Sequence, residues 1–231
     1  MLFIYSAGSC LVWEVRFLFH KINNMSNLSK IMLKTTFCSL NDEMISAWKN
    51  EFENYPEVHI IKDDIFCQKA DAIVSPGNSY GLMDAGLDKL TNEYFHLDME
   101  KKLQETIKKK YHGELPVGIA AIIKTDDNRF PYFISSPTMR VPMRLKESVN
   151  VYLAIRAVFV AIDEFNKSNL INSDNLIKSV IIPGMGIGSG RMPYDIAAKQ
   201  AKRAYESILY GKTQFPEEWN EAVQRHKDLM S

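Results

Sequence analysis

A chain of 231 residues, 46% apolar and 24% charged, is the size and composition of one α/β domain with enough apolar material for a core. Its 28 basic and 28 acidic residues cancel, which excludes the broad positive field that duplex nucleic acid requires. The three cysteines (Cys10, Cys38, Cys67) are far apart and lack C-x-x-C spacing, so they read as free thiols in a reducing, cytoplasmic compartment rather than a disulfide framework or zinc site.

The chain opens on "MLFIYSAGSCLVWEVRFLFHKI", an apolar run broken by Glu14 and Arg16. A spanning helix needs about 20 predominantly apolar residues, and a signal peptide needs positive charge ahead of its apolar run. Residues 1–30 are therefore expected to be an extension outside the core fold, without membrane attachment. Met25 and Met32 are alternative starts of the folded unit, and residues 31–231 are expected to form a single domain.

From residue 31 the periodicities are regular. Residues 31–40 are β-rich; 41–55 form a helix capped by Asn41 or Asp42, with Met44, Ile45, Trp48 and Phe52 at helical spacing. "EVHIIKDDIF" and "ADAIVS" read as strands, the second fully buried. A glycine-rich loop and the polar "TNEYFH" precede a helix over 98–113, whose lysine-rich end and Gly113 suit a C-terminus. "VGIAAIIKT" and "YFISSP" are further strands, 147–169 a long buried helix, "IKSVIIP" the last strand, and 194–211 and 216–230 the closing helices. Buried strands interleaved with helices predict a three-layer α/β/α sandwich with a mixed, largely parallel central sheet.

In such sheets ligands sit beyond the carboxyl ends of the strands. Two glycine-rich loops fall there: "SPGNSYGLMDAGLD" (75–88), and "GMGIGSGR" (184–191), which follows "IKSVIIP". One such loop can cradle a phosphate with backbone N–H groups, and two facing loops suit a diphosphate. Known nucleotide fingerprints fail. G-x-G-x-x-G needs glycine at Ser189 or Arg191, and the "GKT" at Gly211 lacks the earlier glycine at Glu206. The five histidines show no zinc-ligand spacing, and no metal or cofactor is expected.

"KDDIFCQKADAIVSPGNSYGLMDAGLD" and "SVIIPGMGIGSGRMPYDIAA" resemble the two signature loops of macro domains, with "ISSPTMRVP" falling between them in family order. The resemblance covers roughly residues 31–210 and implies a monomeric domain that binds ADP-ribose or an ADP-ribosylated partner. By the same resemblance, Asp64 and Ile65 would meet the adenine, Asn78 the distal ribose, and Ala85, Gly86 and Leu87 one phosphate. Gly184, Gly186, Ile187, Gly188, Ser189 and Gly190 would wrap the other phosphate, where side chains would collide with the ligand. Arg191 and Arg140 are candidates to neutralise the charge, and Tyr80 and Tyr194 to stack on a ring.

Some members of the family hydrolyse ADP-ribosyl linkages or O-acetyl-ADP-ribose, and others only read them. Asp88 stands at the position of the hydrolases' acid, with Asp84 four residues earlier. Against that branch, the glycine run is shortened to "LMDAG", Ser75 replaces an asparagine, and Gly188 replaces an aromatic residue.

Overall fold

In the computed structural model, which describes residues 33–169, 175–212 and 215–231, the chain alternates strands and helices. The strands are β1 (Lys34–Cys38), β2 (His59–Ile61), β3 (Ala72–Ser75), β4 (Ala121–Lys124), β5 (Tyr132–Ser135) and β6 (Ser179–Pro183). The helices are α1 (Asp42–Glu51), α2 (Gly86–Tyr94), α3 (Met99–Lys110), α4 (Asn150–Ser168), α5 (Tyr194–Leu209) and α6 (Trp219–Asp228). The expected extension over 1–30 lies outside the described residues.

The sheet runs β2-β1-β6-β3-β5-β4, with every pairing parallel except β4 against β5. Side chains of a strand alternate between faces, and here both faces are apolar. Phe37, Val74, Ile134, Val180 and Ile182 join the core under α1, α4 and α5. Cys38, Ile73, Phe133 and Ile181 join a second core with Met99, Leu103 and Ile107 of α3. That is the predicted three-layer sandwich.

Local chemistry fixes the elements. Asn41 caps α1, its Oδ1 accepting from Met44 N–H at 2.7 Å, and Met44, Ile45 and Trp48 form the buried stripe. Asp71, just before β3, accepts from the N–H groups of Lys178 and Ser179, each at 2.8 Å, and from Ser179 Oγ at 2.9 Å. This carboxylate holds the start of β3 beside the start of β6, and so brings the ends of both strands, with their glycine loops, side by side.

Several boundaries differ from the sequence reading, three of them for a visible local reason. The strand expected over 57–66 stops at Ile61, because the Asp64 carboxylate caps a 3₁₀ turn over Ile65–Cys67 by accepting from Phe66 N–H at 2.9 Å. The polar stretch "TNEYFH" is largely helical, forming the end of α2, whose inward side carries the buried polar residues Thr91 and Asn92. At the end of α3 the left-handed turn begins at His112 (φ 54°) and Gly113 follows at φ 94°, donating to Ile107 O at 3.2 Å.

Candidate functional site

The loops after β3 and β6 leave neighbouring strands and line one cleft of about 270 Å³. From the first loop come Gly77, Asn78, Asp84, Ala85, Gly86, Leu87 and Asp88; from the second, Gly184, Gly186, Ile187, Gly188, Ser189 and Gly190. A third wall, not foreseen, follows β5: Thr138, Met139 and Pro142. Thr138 N–H donates to Gly77 O at 3.2 Å, and Ser79 N–H to Arg140 O at 3.2 Å, so this segment is stitched to the first loop.

The four alternate glycines divide by role. A Cβ on Gly184 would strike Ile187 Cδ1, and one on Gly190 would strike Gly186 O. Gly186 has φ 73°, and its Cβ would stand 2.6 Å from Val151 Cγ2. Only Gly188 of the four faces open space within 4 Å. Three of the four are therefore required by the loop's own packing, a reason the sequence reading did not give. The backbone still suits an anion. Arg191 and Met192 N–H groups are taken by Gly188 O (3.1 Å) and Gly186 O (3.0 Å), whereas those of Ile187 to Gly190 make no bond to other backbone among the described residues. Across the cleft, Gly86, Leu87 and Asp88 occupy the first turn of α2, where helical N–H groups have no intrahelical acceptor. Gly86 reaches that turn with φ 58°, a conformation that favours glycine.

Asn78 spends most of its amide on its own loop. Its Nδ2 donates to Leu82 O at 2.7 Å, and its Oδ1 accepts from Tyr80 N–H (3.1 Å) and Leu82 N–H (3.2 Å). One N–H remains for a ligand. Asp64, Ile65 and Arg191 do not line the cleft: Ile65 is buried, and Asp64 and Arg191 are exposed beyond it. Arg140 is held elsewhere, in a two-pronged ion pair with Glu114 (2.7 and 3.1 Å), its guanidinium 5.3 Å from the centre of the Tyr80 ring. Tyr194 accepts a hydrogen bond from Asn41 Nδ2 at 3.3 Å.

Asp88 is the perturbed acid of the cleft. Burial pushes its pKa up to about 6; a hydrogen bond from Ser75 Oγ opposes the rise, and the nearby Asp84 carboxylate adds to it. A half-buried carboxyl tuned toward neutrality in a cleft is a candidate acid–base group.

Residues 74–201, more than half of the chain and spanning both glycine loops, match the family model described as Macro domain. The chain belongs to the macro domain family. An Aquifex aeolicus protein of uncharacterised role is 30% identical over 143 residues, covering 62% of this macro domain's chain and 77% of its own. Among solved structures, the DarG macrodomain of Mycobacterium tuberculosis matches with a TM-score of 0.51 at 20% identity, over 64% of this chain and 88% of that one. A variant of the Oceanobacillus iheyensis macrodomain, solved with ADP-ribose, matches with a TM-score of 0.54 at 17% identity, over 73% and 86%. At these identities the structural matches establish the shared fold, and the chemistry must come from this macro domain's own cleft.

Proposed function

We propose that this macro domain binds ADP-ribose in the cleft and hydrolyses an ADP-ribosyl linkage with Asp88 as general base. The observation that carries the reading is the meeting of two glycine loops on one cleft with a carboxyl tuned to about 6. The Oceanobacillus iheyensis structure with ADP-ribose, which has the same fold, supports the binding half of this reading. N–H groups of Gly86–Asp88 and Ile187–Gly190 donate to the diphosphate, substituting fixed dipoles for water. Asp64, exposed beyond the end of β2, meets the adenine of a ligand that extends out of the cleft along the strand ends, with the backbone of the buried Ile65 beside it. Ionised Asp88 takes a proton from a water whose oxygen bonds to C1″ of the distal ribose, while the bond from C1″ to the modified group breaks. With an acyl leaving group the products are ADP-ribose, a carboxylate and one proton.

Calorimetric titration with ADP-ribose, AMP and NAD tests the binding, with ADP-ribose expected to bind tightest because it alone offers both phosphates and an unblocked distal ribose. Turnover of an ADP-ribosylated protein, with Asp88→Ala and Asp84→Ala beside it, tests the chemistry. The commitment of the Asn78 amide to its own loop favours a second reading, a non-catalytic reader of ADP-ribose. Tight binding without turnover would select it.

A further inference from the structure

The end of β5 carries a polar group that the reading above does not use. Ser135 is 1% exposed, and its Oγ has no hydrogen-bond partner among the described residues. Buried hydroxyls almost always have one. Ser135 pairs in register with Ser75, the residue that donates to Asp88 Oδ1, and both lie on the face of the sheet that α2 and α3 cover. Between Ser135 and Asp88 stands Gly77. The point where a Cβ on Gly77 would sit is 3.1 Å from Ser135 Oγ, and 3.9 and 4.0 Å from the two carboxylate oxygens of Asp88. Gly77 and Asp88 both line the cleft. The unpartnered hydroxyl and the acid thus converge on the point that Gly77, at the wall of the cleft, leaves without a side chain.

We propose that Ser135 is a positioning residue: its hydroxyl and the Asp88 carboxyl together hold the attacking water. This rests on the hydrolase reading for its catalytic part, and the water site itself does not. Two fixed anchors set where the water's remaining lone pair points; Asp88 alone would leave it free to swing. Ser135 Oγ donates to the water oxygen, the water donates to Asp88, and the same proton passes to Asp88 as the oxygen bonds to C1″. The hydroxyl of Ser135 keeps its own proton throughout.

The test is a high-resolution crystal structure of the full chain with ADP-ribose, together with turnover and ADP-ribose affinity for wild type, Ser135→Ala and Gly77→Ala. The wild type is expected to show an ordered water within hydrogen-bond distance of both Ser135 and Asp88. Ser135→Ala should lose that water and lower kcat at least about tenfold with KM and ADP-ribose affinity within twofold. Gly77→Ala, whose backbone is not left-handed, keeps the hydroxyl but fills the approach to it, and should lower kcat likewise. No water between the two groups, or unchanged turnover in Ser135→Ala, overturns the proposal. A bridging water in a protein that turns nothing over upholds the site and overturns the hydrolase reading instead.

Discussion

Replacing Asp88 by Asn should make the protein both inactive and more stable at neutral pH. The amide keeps the shape of the carboxyl and still accepts from Ser75, but carries no charge to bury. The pKa rises from 3.8 unfolded to about 6 folded, so the native state holds the proton more tightly than the unfolded chain does. The sign is therefore opposite to that of a salt-bridged aspartate: below the unfolded value both states are protonated and nothing is lost. As pH climbs through the interval, the native state must bury a charge that the unfolded chain leaves in water. At 1.36 kcal/mol per unit, the full penalty above the folded value is about 3 kcal/mol, and near pH 4.5 it is about 1 kcal/mol. Urea unfolding at both pH values should show Asp88→Asn gaining the larger increment at pH 7.5. Turnover should fall at least about 100-fold, and wild-type kcat should decline below a midpoint near the folded pKa. A stability difference that does not change with pH, or a loss at pH 7.5, would refute the claim that burial of this carboxyl is what shifts it.

Two further substitutions separate the glycines of the second loop. Gly188→Val should leave the melting temperature nearly unchanged and weaken ADP-ribose binding at least about tenfold by calorimetry, because its Cβ enters open cleft space. Gly186→Ala meets Val151 and a left-handed backbone, and should cost about 1–3 kcal/mol in urea unfolding. Asn78→Ala removes three hydrogen bonds that close the first loop, and should lower stability by about 1–3 kcal/mol while weakening ADP-ribose binding. Equal affinities in wild type and Asn78→Ala would show that the loop holds its shape without the amide.

The layers, the parallel sheet and the two loops were legible because buried strands and glycine clusters write themselves as local composition. What escaped was set by contacts between distant segments. Nothing in "TNEYFH" marks a helix, since Thr91 and Asn92 are polar yet buried. Asp64 caps a 3₁₀ turn by bonding two residues ahead, which the apolar Ile65 and Phe66 do not announce. The reasons for Gly184, Gly186 and Gly190 lie in Ile187, Val151 and the loop's own carbonyl, whereas the sequence shows only the spacing. Ser135 is an ordinary strand residue until its register with Ser75 places it near Asp88.

The position of β6 governs how the molecule must come into being. β6 lies between β1 and β3, pairing Thr36 with Ile181 and Ala72 with Val180. The strands made first cannot join into one sheet until a segment made some 140 residues later is wedged between them. A ribosome that has released β1, β3 and β5 therefore carries two unconnected partial sheets with bare edges, exposed to misassociation until the last strand arrives. The cleft, one of whose two glycine loops hangs from that strand, cannot take shape before it.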